Sequence, residues 1–332
     1  MIEPPSPSAA SDRPTRPARP ARTVFFGSGT FAVPVLRALL AHPSIEVVGV
    51  VAPPDRPAGR HGELAAAPVA QEALRYGLPL LQPQRVRAPE TVGEIAALAP
   101  DLGVLADFGR IVPPTILEIP AHGILNVHPS LLPRHRGATP VATTILAGDP
   151  EAGVTVMRMD EGLDTGPLVG SRSWTLEGTE RAPELETRAA REGAALLGEL
   201  LDPYLHGDLS PAPQDESLAT LTRPLRRLDG LLDPTRSAVD LERQVRAYQP
   251  WPGSFVETPL GRLAVLKGLV AERGASDRTG ALVADGLGLA LIASNGRLRL
   301  LDVQPAGGRP MSGAAYRRGH PSVVEPSVGG AG

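Results

Sequence analysis

Residues 123–166 read GILNVHPSLLPRHRGATPVATTILAGDPEAGVTVMRMDEGLDTG, and this stretch decides how the whole chain is to be read. The apolar run 124–127 has the length of a buried strand and brings Asn126 and His128 with it. A loop too rich in Pro, Arg and His to be a strand follows, and then a short helix-like segment. A second apolar run, 154–159, ends in Asp160-Glu161-Gly162-Leu163-Asp164-Thr165-Gly166. Two strands thus run into polar loops that hold an amide, an imidazole and a carboxylate. In an open parallel sheet, ligands bind beyond the carboxyl ends of the strands. Three complementary polar groups brought there from two segments form a candidate site.

Working outward, strand-like and helix-like patterns alternate from residue 23 to residue 159, which predicts an α/β fold with a mostly parallel, doubly wound sheet. Residues 23–26 form a short apolar strand. Gly27-Ser28-Gly29-Thr30-Phe31-Ala32 then opens a helical pattern, which is the form of the dinucleotide fingerprint G-x-G-x-x-A. The next strand, 45–51, should end in an acid for a ribose hydroxyl. It runs instead into Ala52, Pro53 and Pro54, and Asp55 arrives late. A tight strand-to-helix turn therefore stands beside the nucleotide reading. Residues 55–62 form a polar loop with Arg56 and Arg60, of a length that is often functional between strand and helix. Residues 66–76 and 89–98 read as helices, 101–106 as a strand, and 179–205 as a long helix closing the first domain.

The chain has 332 residues and is 42% hydrophobic, enough for two domains. Residues 1–22 are rich in Pro, Ser, Ala and Arg and are expected to be a disordered tail. The domain 23–206 is followed by a linker, 207–234. In 235–320, a helix at 237–248 with Ser237 as N-cap precedes short β-rich runs between Gly-containing turns, the pattern of a small β-barrel. Residues 321–332 are again expected to be disordered. The sequence contains no cysteine, which excludes disulfides and thiolate metal sites. No apolar run reaches the roughly 18 residues of a membrane span, so a soluble, cytoplasmic protein is expected, and separately a monomer.

Charge is unevenly spread. Residues 218–320 hold 15 Lys+Arg against 9 Asp+Glu, or +6, which leaves −9 for the rest of a chain whose net charge is −3. A basic C-terminal part suits an anionic partner, although uneven surface charge needs no partner. Lys267 is the only lysine, so nearly all the positive charge is guanidinium, which suits phosphate.

Asn126 offers an amide N–H to an oxygen gaining negative charge. His128 can donate to the same oxyanion or shuttle a proton near neutral pH. Asp164 can orient the imidazole, hold a water or take a proton from an attacking amine. This grouping suits acyl or one-carbon transfer to an amine. No serine, cysteine or lysine is placed as a covalent nucleophile, so attack by a substrate amine is the natural alternative. A bland reading remains open for each motif, since Asn-x-His at a strand end and Asp-Thr-Gly in a turn are often purely structural. An aspartic protease would need a second carboxylate and a bilobal β fold, and a metal site would need more ligands at suitable spacing.

Three motifs carry a resemblance: Asn126-Val127-His128-Pro129-Ser130-Leu131-Leu132-Pro133, the following Arg136-Gly137-Ala138, and Gly153-Val154-Thr155 through Leu163-Asp164-Thr165-Gly166. Together they resemble the formyltetrahydrofolate-dependent formyltransferases. The loop Pro54-Asp55-Arg56-Pro57-Ala58-Gly59-Arg60, the run Arg246-Ala247-Tyr248-Gln249-Pro250-Trp251-Pro252-Gly253, and Gln304-Pro305-Ala306-Gly307 with Met311 point to the tRNA-acting branch, over about residues 23–320. The resemblance implies a Rossmann-like formyltransferase domain followed by a small OB-like β-barrel. It implies formyl transfer from 10-formyltetrahydrofolate, as co-substrate, to the α-amine of methionyl initiator tRNA, with no metal and no NAD. It assigns catalysis to Asn126, His128 and Asp164. It assigns folate binding to Ser130, Leu131, Leu132, Pro133, Phe108, Gly109, Ile111, Val112 and Leu163. It assigns tRNA binding to Arg56, Arg60, Arg226, Arg227, Lys267 and Arg309. The chain departs from the family where lysines commonly follow the arginine loop (here His61, Gly62, Glu63), in the linker (224–229), and at Gly308-Arg309, where a lysine pair is common.

Overall fold

The computed structural model describes residues 19–58 and 63–323. The expected tail up to residue 18, Arg60, and the expected tail beyond residue 323 lie outside the described residues. The chain divides into two units, Met1–Leu125 with Ala194–Ala212, and Asn126–Gly193 with Pro213–Gly332.

In the first unit, strand β1 (Ala21–Gly27) leads into helix α1 (Ala32–Ala41). Ala32, Val35, Leu36 and Leu39 are buried at helical spacing, so one apolar stripe faces the sheet. Strand β2 (Ile45–Val51) follows and runs parallel to β1. A hairpin, β3 (Arg56–Ala58) and β4 (Glu63–Ala65), occupies the polar arginine loop. Then come α2 (Pro68–Arg75), the two-residue edge strand β5 (Leu80–Leu81), α3 (Pro89–Ala97), β6 (Leu102–Ala106) and the short α4 (Pro114–Leu117). Strand β1 starts two residues earlier than the apolar pattern predicts. Polar contacts extend it: Ala21 N donates to Ser44 O at 2.8 Å, and Arg22 N donates to the Asp101 carboxylate at 2.8 Å.

Strand β7 (Ile124–His128) begins in the first unit and ends in the second. Beyond it lie β8 (Arg136–Gly137), α5 (Pro140–Ala147), β9 (Glu151–Arg158), β10 (Leu168–Thr175) and α6 (Ala182–Leu205). The seven-stranded sheet has the order β10-β9-β7-β6-β1-β2-β5. Its β1 pairings with β2 and β6, and the β2–β5 pairing, are parallel, and β10 is an antiparallel edge strand on β9.

The rest of the second unit holds β11 (Leu221–Thr222), α7 (Ala238–Ala247), β12 (Ser254–Thr258), β13 (Gly261–Ala271), β14 (Leu282–Asp285), β15 (Gly288–Ile292), β16 (Arg297–Pro305), β17 (Met311–Ser312) and α8 (Gly313–Gly319). Strands β12-β13-β16-β15-β14, with β17 beside β16, make an antiparallel curled, barrel-like sheet. Irregular register between β13 and β16 around Lys267 gives the local bend that curling needs. Ser237 caps α7 as expected, its hydroxyl accepting from Asp240 N at 3.0 Å. Ala238, Leu241 and Val245 of α7 join Leu263, Val265, Leu298 and Leu300 in the barrel core.

Residues 207–234 were expected to be a linker, but much of that segment is fastened down within the second unit. Strand β11 pairs in parallel with β8, and Thr220 N donates to Pro133 O at 3.2 Å. Helix α5 packs on α7, and Arg246 donates to Glu180 O at 2.8 Å. These contacts explain why residues 126–193 group with the C-terminal part, although the sequence suggests a break near residue 206.

Candidate active site

Strand β7 alternates its side chains, so Asn126 and His128 share a face. Both are buried. Strand β9 feeds the turn that carries Asp164. In this turn Asp160 Oδ1 accepts from Gly162 N at 3.0 Å and from Thr165 Oγ1 at 2.7 Å. A side chain at Gly166 would run into the Arg158 carbonyl, which is why glycine stands there. Asp164 adopts a left-handed backbone, φ 54°, which Asp tolerates better than most residues.

The sequence-predicted triad converges. Asp164 Oδ1 accepts from Asn126 Nδ2 at 3.3 Å, and Oδ2 lies 3.7 Å from His128 Nδ1. Oδ2 also accepts from Gly137 N at 2.7 Å. Gly137 has φ 105°, and a Cβ there would meet Thr222 O at 2.7 Å. The Arg-Gly pair of the motif is thereby explained: only glycine can bring its N–H to the carboxylate under the crossing strand β11.

His128 Nε2 sits 3.1 Å from His135 O. A carbonyl only accepts, so Nε2 carries the hydrogen and Nδ1 is the atom that gains or loses a proton beside Asp164. Burial pushes the His128 pKa below its ordinary value, and the Asp164 charge and the His135 carbonyl offset this only in part. The unfolded chain therefore binds a proton more readily than the folded one. Stability is expected to be fully present above the unfolded histidine pKa of about 6.5 and to be lost as pH falls below it, by at most about 1.4 kcal/mol per pH unit from this group. Thermal unfolding measured across this range should show His128→Gln losing that part of the pH dependence.

His135 and Arg136 were not singled out as site residues by the sequence. His135 is buried with a left-handed backbone, φ 60°, and its Nε2 lies 2.7 Å from Asp149 Oδ2. Arg136 is buried and bonds Glu216 through both terminal nitrogens, at 2.9 and 2.7 Å. A Pro-Arg-His-Arg run signals a functional loop, but nothing in it shows that a backbone carbonyl and a backbone N–H do the work.

Of the residues assigned to folate, Ser130, Leu132 and Pro133 lie in the loop after β7. Ser130 Oγ donates to Arg134 O at 2.7 Å, and Leu132 N donates to Thr155 Oγ1 at 3.1 Å. Leu131 is partly buried, and Leu163 is exposed in the Asp164 turn. In the first unit, Phe108 is buried edge-on to Phe26 with ring centroids 5.6 Å apart, Gly109 has φ 66°, Val112 is buried and Ile111 is exposed. Of the residues assigned to tRNA, Arg56, Arg226, Arg227, Lys267 and Arg309 are all exposed. Part of the C-terminal positive charge is consumed internally, since Arg223 is forked onto Asp229 and Arg297 onto Asp277. The glycine-rich turn after β1 is filled from within, because a side chain at Gly29 would meet the Asp107 carboxylate. An anion there disfavours a pyrophosphate.

Comparison with known proteins fixes the class. Residues 21–201 match the formyl transferase family and residues 224–321 match the formyl transferase C-terminal domain, so the molecule is a formyltransferase. The methionyl-tRNA formyltransferase of Roseiflexus sp. (strain RS-1) is 46% identical over 303 residues, covering 90% of this chain and 92% of that protein. The methionyl-tRNA formyltransferase of Myxococcus xanthus (strain DK1622) is 42% identical over 300 residues, covering 90% and 95%. The chain belongs to the methionyl-tRNA formyltransferase family, whose reaction delivers a formyl group to methionyl-tRNA. Solved structures share the fold at low identity. An N-formyltransferase from Helicobacter canadensis, in complex with folinic acid and dTDP-3-aminofucose, has TM-score 0.62 at 15% identity, covering 84% of this chain and 98% of that one. HypX from Aquifex aeolicus, in complex with tetrahydrofolic acid, has TM-score 0.58 at 16% identity, covering 92% and 48%. Among the described residues no helix is long and apolar enough to cross a membrane, and no cluster of metal-binding side chains occurs.

Proposed function

We propose that this enzyme takes the formyl group of 10-formyltetrahydrofolate and places it on the α-amine of methionine carried by initiator tRNA, for use in translation initiation. The observation that carries the chemistry is the convergence of Asn126 Nδ2, His128 Nδ1 and Gly137 N on the Asp164 carboxylate. The methionyl amine attacks the formyl carbon directly. Asn126 donates to the resulting tetrahedral oxyanion, and so does His128 while the proton released by the amine, relayed through Asp164, resides on Nδ1. Asp164, beside Nδ1, takes the amine proton and passes it toward the leaving folate nitrogen. The 3.7 Å gap between Nδ1 and Oδ2 is longer than a hydrogen bond, and such gaps tighten when substrate arrives.

Folate is supported as co-substrate by family membership and by neighbours of the same fold that were solved with folates. Exposed Leu163, in the turn that carries Asp164, offers apolar surface to the folate. Two domains are proposed, a catalytic one at 23–206 and a tRNA-binding barrel at 235–320, in a cytoplasmic monomer. Formyl transfer measured with methionylated initiator tRNA, beside methionylated elongator tRNA, tests the substrate. Transfer to the initiator at a rate at least about 100-fold greater is expected, since a reader of the acceptor end gains a few kcal/mol from it. Equal transfer to both, or to neither, overturns the initiator assignment.

A further inference from the structure

We propose that Gln214 is a positioning residue for Asp164, and that residues 213–222 form a strap holding the carboxylate-bearing turn in its working shape. The inference rests on the role given to Asp164 above. It concerns residues that fall between the two family matches, which end at 201 and resume at 224.

Asp164 sits in the left-handed region, which is unfavourable for an L-residue and persists only where the surroundings over-determine it. Gln214 supplies that determination. Its amide nitrogen donates to Asp164 O at 2.8 Å and to Gly166 O at 2.7 Å, so both N–H groups are used on the two carbonyls that flank the turn. Its amide oxygen accepts from Arg136 Nε at 3.1 Å and from Arg136 Nη2 at 2.8 Å, which fills both lone pairs. Arg136 is in turn held by Glu216. The residue after Arg136 is Gly137, whose N–H grips the carboxylate itself. Strand β11 completes the loop of contacts, with Thr222 Oγ1 donating to Arg136 O at 3.0 Å. One amide therefore ties the backbone of Asp164 to the same Arg-Gly segment that holds its side chain. A carboxylate of equal length cannot replace it, because two carbonyls demand two donors.

The test uses the full-length chain and measures kcat, the KM for each substrate and thermal unfolding. The variants are Gln214→Ala, Gln214→Glu, Asp164→Asn and the double variant Gln214→Ala with Asp164→Asn. Each Gln214 variant is expected to lose about 10- to 100-fold in kcat, with both KM values moving by less than about 2-fold, since misplacement of a reacting group by about 1 Å costs this much. In the Asp164→Asn background, Gln214→Ala is expected to cost less than about 3-fold more, because a residue acting through Asp164 has little left to lose. A full multiplicative loss in the double variant would mark a general structural role and overturn the proposal, as would unchanged kcat in the single variants. If Gln214→Ala fails to fold, Gln214→Glu keeps the length and the contact to Arg136, and carries the test both alone and in the Asp164→Asn background. Full activity in Asp164→Asn removes the catalytic assignment, and the strap proposal with it. Loss there with full activity in the Gln214 variants removes only the strap.

Discussion

Asp164→Asn is expected to lower kcat for formyl transfer by about 10³-fold while leaving the chain folded, in line with the contribution of a positioned proton-transfer group. Asparagine is among the residues that accept a left-handed backbone, so φ 54° is no obstacle. The loss comes from the head group. Three donors face Asp164: Asn126 Nδ2, Gly137 N and, when protonated, His128 Nδ1. A carboxylate can accept from all of them, whereas an amide has one oxygen and turns two N–H groups toward donors. Asparagine also has no basic site for the amine proton. The single-turnover rate with both substrates bound is the measurement that isolates this step. A rate within a few-fold of the parent would remove Asp164 from proton transfer.

The affinity for methionylated initiator tRNA is expected to fall about 10³-fold when monovalent salt rises from about 50 to about 200 mM. The cations proposed to meet phosphate set the slope, Arg60 among them lying outside the described residues. Arg56, Arg60, Arg226, Arg227, Lys267 and Arg309 make six, and each contact to a nucleic-acid phosphate contributes about one unit to the slope of log K against log salt. Arg223 and Arg297 are left out because Asp229 and Asp277 already hold them. Five of the six are arginine, whose fork suits phosphate oxygens. Arg226→Ala should reduce the slope by about one unit without altering kcat for saturating tRNA. Filter-binding or fluorescence titrations at several salt concentrations give the slope, and a flat profile would mean that these side chains do not meet phosphate.

The parts of the molecule that the sequence announced share a cause. Strand β7 is a short apolar run broken only by the site residues Asn126 and His128, helix α7 opens on a serine cap, and the Asp160–Gly166 turn spells out its glycines, so local chemistry settles each of them. The triad was legible because its three members sit at the ends of such elements. The invisible parts depend on backbone groups or on distant partners. His135 fixes the His128 tautomer through a carbonyl that any residue carries, and Gly137 holds Asp164 through an N–H whose need for glycine shows only once β11 lies across it. Gln214 lies 50 residues from Asp164 in a polar, proline-bearing stretch, and only the folded chain places it under the turn. The edge strands β5 and β10 were missed for a related reason, since an edge needs one neighbour and little apolar content to persist. Strand β1 starts ahead of its apolar pattern because its first two residues are held by polar contacts.

The pairing of β11 with β8 has a consequence for how such proteins can be divided and recombined. A cut made where the long helix α6 ends, at Leu205, appears natural from the helical pattern and leaves Asn126, His128 and Asp164 in one piece. Yet that piece lacks the amide that closes the Asp164 turn and the strand that lies across Gly137. On the strap proposal, a division that keeps the Asp164 turn closed falls after Thr222.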